Sequence, residues 1–345
     1  MYYYCKYWDY YLPLHMRYSI FSVQDHHPSF QRSVPELYTQ VLEQGILADQ
    51  LSYDSFFVAE HHFHEYGAVP NPAIFLTALA QHTKRIKLGP AISILTFHNP
   101  LTVAENYSML DILSNGRLIM GVGSGYLKHE FEGYTIDPET KRERFDENLF
   151  VLKQALSGQK INFQGKFGSY THVQTNVRPT QAQVPLYVAA LRAEAAYHVG
   201  KLGNNIVCVP YASLNDFSEI KTLYTDFKKG FAESGQHHPQ ALFAFHAHVA
   251  ETDELARKHA EEAFNLYVRT RLYAKQQTYN DVMQTGLHLF GSVETVADKI
   301  IELHKMGIDH LLLLQNFGML DPSLVKHSMR LFMEKVKPLV LEKIS

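Results

Sequence analysis

Short apolar or β-branched runs recur eight times along this chain, at residues 18–23, 55–59, 86–95, 118–121, 186–189, 205–209, 242–249 and 310–314. Segments with helical spacing of apolar residues fill most gaps, at 34–50, 72–83, 101–113, 144–157, 194–202, 217–233, 254–271, 293–306 and 324–335. Strands that alternate with helices are joined by crossovers and therefore pair in parallel. An open doubly wound sheet and a closed (β/α)8 TIM barrel both satisfy the pattern. The count of eight, and the lack of a composition break or a Pro/Ser-rich linker, favour the barrel. A barrel of this kind takes roughly 250 residues, so the 345 here leave room for loop insertions at the C-terminal face. Residues 126–142, rich in Gly, Asp, Glu and Lys, are expected as a long loop after the fourth strand. Residues 160–185 alternate apolar and polar side chains around Gly165 and Gly168 and read as a hairpin or extended connection.

Residues 1–15, with their aromatic excess, are expected to be a leader or a mis-assigned start without fixed structure, followed by a single domain over 16–345. They have neither the basic nor the long apolar region of a signal peptide. A net charge of −3 and a pI near 6.7 show no basic footprint for nucleic acid. The longest aliphatic tract, 311–314, is a core strand and far short of a membrane span. Two cysteines, Cys5 and Cys208, argue against a disulfide framework, and the cytoplasm is the default compartment.

In a barrel, active sites lie where strands end. The second strand ends in "AEHHF". Neighbouring strand residues point to opposite faces, so His61 and His62 are not expected to share one task. A histidine there suits general acid–base work, and equally a hydrogen-bonded strand end. The third strand, "LGPAISILTFHNP", places the small residues Ala91 and Ser93 among bulkier ones, with Asn99 set to cap the next helix. The fourth ends in "GVGSGY", a ligand-facing turn or a tight loop, without the third glycine of a dinucleotide fingerprint. Arg142, Arg144 and Arg192 are candidate phosphate ligands, Arg192 being placed at a helix start directly after the fifth strand. Phe63, Phe97 and Tyr126 are candidate pocket aromatics. The pairs His62/His64 and His246/His248 have metal-ligand spacing, which keeps a metal-dependent hydrolase open as an alternative. No complete ligand set emerges, and no metal is expected.

Taken together, "EHHF", "KLGPAISILTFHNP", "AENYSMLDILSNGRLIMGVGSGY", "PLYVAA" and "GSVETVADKI" resemble the bacterial luciferase-like flavin-dependent monooxygenase family. The similarity runs from about Met16 to the C-terminus, and its most specific part is the "D.LSNGR...G.G.G" pattern of residues 111–125. The resemblance implies a TIM barrel that takes reduced FMN from a separate flavin reductase and uses molecular oxygen to oxidise a small organic substrate. It also implies a homodimer built on early-helix residues such as Met109, Ile112 and Leu113. A related branch uses F420 for hydride transfer, while "EHHF" and "GVGSGY" look closer to the FMN branch. A flavin-binding protein without turnover is a further alternative.

By the same resemblance His61 takes the place of the catalytic histidine. Ala91 and Ile92 take the strand bend under the flavin ring, where the family often has a non-prolyl cis peptide. Gly123 and Ser124 stand where luciferase itself has a cysteine and an arginine, so phosphate binding falls to Arg142 and Arg192 with the amides near Ala193 and Glu194. These departures, and the short segment 278–289 where luciferase has a long lid, imply an enzyme that does not emit useful light.

Overall fold

The computed structural model describes residues 16–271 and 276–345. The expected leader over 1–15 lies outside the described residues. In chain order the strands are β1 (Arg17–Ser22), β2 (Ser55–Val58), β3 (Lys87–Pro90), β4 (Ser93–Ile94), β5 (Met120–Gly123), β6 (Ile161–Gln164), β7 (Ser169–Val173), β8 (Leu186–Ala189), β9 (Asn205–Cys208), β10 (Ala241–Val249), β11 (Leu289–Gly291) and β12 (His310–Leu314). Helices connect most of them, and β6 and β7 form the antiparallel hairpin expected in the 160–185 segment.

The main sheet runs β3-β2-β1-β12-β10-β9-β8-β5-β4. Its ends meet: β3 and β4 are two halves of one strand, Leu88 bridges Leu118 in parallel, and β4 pairs with β5. The result is the TIM barrel that the alternation predicts, with β11 as an extra strand beside β10. The third run, expected as one strand over 86–95, is interrupted after Pro90, and the Ala91–Ile92 peptide is cis. At this closing seam the backbones come very near each other. A Cβ on Gly89 would lie 2.1 Å from the Ile119 carbonyl oxygen, and one on Gly121 2.3 Å from that of Pro90, so only glycine fits at either position.

The expectation for 126–142 is corrected. The loop expected over 126–142 contains a helix, Lys128–Gly133, and the next helix starts at Lys141 rather than at 144. The segment 278–289 carries the helix Tyr279–Thr285, whose start is fixed by a Thr278/Asp281 capping box. Asn99 does cap the helix Pro100–Leu113, accepting from Leu101 N at 2.9 Å.

The "D.LSNGR" pattern works in packing. After the helix Pro100–Leu113, Asn115 and Gly116 take left-handed backbone (φ 58° and 78°) and reverse the chain into Arg117. The Arg117 guanidinium donates to the carbonyls of Ala80, Thr83, Ile86 and Ser114 and to the Thr83 hydroxyl. Asp111, fully buried, accepts from Leu118 N, from Thr180 N and Oγ1, and from Gln181 N and Nε2. These two side chains rivet the start of β5 to its neighbouring helices and to the connection before β8. Among the described residues, no helix is long and apolar enough to cross a membrane.

Candidate active site

A cavity of about 310 Å³ opens at the C-terminal ends of the strands, where a barrel's loops converge. Phe21, Val207, Val209, Ala244 and Leu312 make an apolar wall, and Tyr211 adds a hydroxyl. Of the residues singled out from sequence, His61, Ala91, Ile92, Gly123, Ser124 and Arg142 all line it. Arg192 and Ala193 do not. Arg192 is the exposed first cap of the helix Ala193–Lys201, and the wall is made instead by Leu191 and Ala195 on either side. Lys141, beside Arg142, reaches the cavity as well, and Arg142 is paired with Asp146 one helical turn on at 3.1 Å.

Of the three aromatics, only Tyr126 lines the cavity. Phe63 is 61% exposed, and Phe97 packs with Ile94 and Phe131 in a small cluster of its own.

His61 is buried at the cavity wall. Its Nδ1 lies 3.3 Å from Glu130 Oε1, and that oxygen also accepts from His62 N at 3.0 Å. With Nδ1–H directed at a carboxylate, Nε2 keeps its lone pair and is the ring's base. Burial is the main force holding the His61 pKa below the ordinary imidazole value. The hydrogen bond to Glu130 opposes it, while the charge of Arg271 reinforces it. Glu130 comes from the helix Lys128–Gly133, inside the segment expected as a loop. Nothing in its sequence surroundings distinguishes it from its acidic neighbours Glu132, Asp137 and Glu139. The chain also leaves space for the imidazole: a Cβ on Gly67 would lie 2.2 Å from His61 Cβ.

His62 turns to Glu60, as the alternation of faces implied, but Glu60 itself lines the cavity. Glu60 Oε1 accepts from His62 Nε2 at 3.0 Å and from His98 Nε2 at 2.6 Å, and Oε2 accepts from the Ser93 hydroxyl at 3.1 Å. Burial pushes the Glu60 carboxyl upward, and these histidine bonds more than offset it, leaving its pKa low. For His98, burial works downward, and the bond and charge of Glu60 raise the imidazole above its ordinary value. His62 Nδ1 accepts from the Tyr134 hydroxyl at 3.0 Å.

The two H-x-H pairs do not converge on a point. His64 packs its ring on Tyr66, whereas His62 belongs to Glu60. His246 sits among the rings of Tyr211, Phe264 and Tyr267, and His248 Nε2 meets His259 Nδ1 at 3.1 Å. Across the mouth, Asp25, in the loop after β1, accepts from His27 Nε2 at 2.8 Å and from Gly318 N, after β12, at 2.6 Å.

A family profile described as luciferase-like monooxygenase matches residues 16–310. An uncharacterized protein of Sinorhizobium fredii (strain NBRC 101917 / NGR234) is 33% identical over 195 residues, 56% of this chain and 57% of that protein. This chain thus spans little more than half the length of some curated relatives it matches. The oxygenase component of a flavin-dependent trigonelline monooxygenase from Acinetobacter baylyi (strain ATCC 33305 / BD413 / ADP1) is 27% identical over 251 residues, 72% of this chain and 69% of its own. An F420-dependent glucose-6-phosphate dehydrogenase of Amycolatopsis mediterranei (strain U-32) is 29% identical over 193 residues, 54% of this chain and 56% of its own. Among solved structures, the monooxygenase RslO1 from Streptomyces bottropensis superposes with a TM-score of 0.85 at 24% identity, covering 94% of this chain and 99% of that one. The oxygenating constituent of 3,6-diketocamphane monooxygenase from Pseudomonas putida, in complex with FMN, gives 0.81 at 20% identity, covering 94% and 98%.

Proposed function

We propose, since this chain belongs to the luciferase-like monooxygenase family, that it is an FMN-dependent monooxygenase: it takes reduced FMN from a separate reductase and inserts oxygen into a small organic substrate. The observation that carries this reading is His61, held by Glu130 with its second ring nitrogen free for the cavity. Support for flavin comes from the trigonelline relative, whose name states flavin dependence. The cavity suits a flat ring: Ala91, Gly123 and Ala189 keep its floor low, and a Cβ at Gly123 would lie 2.7 Å from Ile92 Cδ1. Lys141 and Arg142 at the rim would take the phosphate. Arg192 and the Ala193 amide, at the start of the helix Ala193–Lys201 outside the cavity lining, would add to it only if a bound phosphate extended past Leu191. Bound reduced FMN would supply the electrons that activate oxygen. His61 Nε2 would move a proton to or from the reacting oxygen, and the apolar wall would keep bulk water from it. The absence of an arginine at Ser124 and the short helix in place of a long lid speak for turnover without light. Ile74, Met109, Ile112 and Leu113, exposed on the helices Pro72–His82 and Pro100–Leu113, are the face on which a homodimer would form. The cytoplasm, with its reductases, is the compartment this chemistry needs.

The deciding experiment mixes the chain anaerobically with reduced FMN and then with oxygen. A transient spectrum, distinct from that of reduced or oxidised free flavin, is the expected result. Oxidation at the rate seen in buffer, together with tight binding of added F420, would transfer the assignment to the hydride-transferring branch represented by the Amycolatopsis relative. Gly67→Ala probes the same reading from a distance. Its Cβ would collide with that of His61, and a displacement of about 1 Å costs on the order of a hundredfold in turnover. Substrate turnover measured beside a thermal melt separates this loss from misfolding.

A further inference from the structure

Glu60, His62 and His98 bring three metal-ligating atoms together, all within 4.8 Å of one another. Two imidazoles and a carboxylate form a donor set that first-row divalent metals accept, zinc and ferrous iron among them. Ligands about 2.0–2.2 Å from a shared ion lie about 3 Å apart. Here Glu60 Oε1 is 3.0 Å from His62 Nε2 and 2.6 Å from His98 Nε2, so small movements would admit an ion. The imidazoles are splayed and not stacked, with ring centroids 5.8 Å apart and planes at 59°.

Two independent features distinguish the cluster from an ordinary polar knot. The atoms on the far side of the ligands are already held, His62 Nδ1 by Tyr134 and Glu60 Oε2 by Ser93. Metal ligands need such outer partners to fix their orientation. There is also a way in, because the His98 side chain is 28% exposed while Glu60 reaches the cavity wall.

We propose that Glu60, His62 and His98 bind one divalent first-row transition cation at the wall of the cavity. The ion would bring its remaining coordination positions to that wall, where water or a substrate oxygen could occupy them. This site does not depend on the flavin reading, since its three ligand atoms belong to Glu60, His62 and His98 and none to the Lys141–Arg142 rim.

Titration of the full chain with Co2+, followed by visible ligand-field absorption, tests the site, with dialysis against Zn2+ and metal analysis alongside. One cobalt per chain with strong ligand-field bands, displaced by Zn2+, is expected. His98→Gln, at a partly exposed position, should weaken binding by at least about a hundredfold. Tyr134→Phe removes an outer partner but no ligand atom, and should weaken it by about tenfold. His259→Gln, at a residue whose Nδ1 meets His248 at 3.1 Å and which touches none of the three ligands, should bind as the parent does. Three results would each overturn the proposal: no stoichiometric cobalt uptake, unchanged affinity in folded His98→Gln, or loss of binding in His259→Gln alone, which would place the metal at His248.

Discussion

His61→Ala is expected to lower turnover by about 10²–10⁴-fold, the range that a positioned acid or base contributes, while leaving flavin affinity within a few-fold. The imidazole is buried and bonded through Nδ1, so its removal takes away the base and opens a small polar gap but breaks no barrel ladder. Burial keeps the ring's pKa low, so the parent retains its neutral, basic form at neutral pH. Its activity should therefore fall only as pH drops below the ordinary imidazole range, and that acid limb should vanish in the variant. Stopped-flow rates across pH, with flavin binding measured separately, would show both. A variant with a normal rate and an unchanged acid limb would remove His61 from the chemistry.

The second large effect concerns stability. Asp111→Ala should destabilise the fold by at least about 3 kcal/mol, because hydrogen bonds to a buried charge contribute about 1.5–3 kcal/mol each and their donors would be stranded. Five donors converge on that carboxylate from two segments, the start of β5 and the connection before β8. Burial alone would raise the Asp111 pKa, but the bonds from Thr180, Gln181 and Leu118 bring it below the usual value. A carboxyl with a depressed folded pKa stabilises above its unfolded value, about 3.9 for aspartate, and that contribution disappears as pH falls through the folded value. Urea midpoints should accordingly separate parent and variant most above pH 5 and converge in acid. An equal gap at every pH would mean that packing, not charge, holds the joint.

The fold was legible because crossover connections impose one rhythm on the whole chain, and the count of eight runs chose the barrel over an open sheet. Within a run less could be read. The residues alone read 86–95 as one strand, and it was the resemblance that placed a bend at Ala91 and Ile92, where the structure has its cis peptide. The site was half legible. His61, Ala91, Ile92 and Gly123 belong to strand ends, and strand ends converge in any barrel. Glu130 and the pairing of His98 with Glu60 come from connections whose paths only the folded chain determines. Arg192 was placed by its position at a helix start, yet a helix start fixes the backbone and not the direction of the side chain. "D.LSNGR" was the most recognisable stretch, and its Asp and Arg serve the joints of the barrel and stand away from the cavity.

Asp25 and Gly318 are 293 residues apart along the chain and are joined at the cavity mouth by one hydrogen bond. That latch has a consequence for synthesis. Proteins emerge from the ribosome at about 5–20 residues per second, so β1 waits many seconds for β12 to arrive beside it. Until then the growing sheet has open edges on both sides, and the apolar wall that later faces the cavity faces solvent or a chaperone. A ribosome stalled before β12 would therefore release a client for quality control in place of a weakened enzyme. The mouth of the barrel cannot close before β12 has emerged.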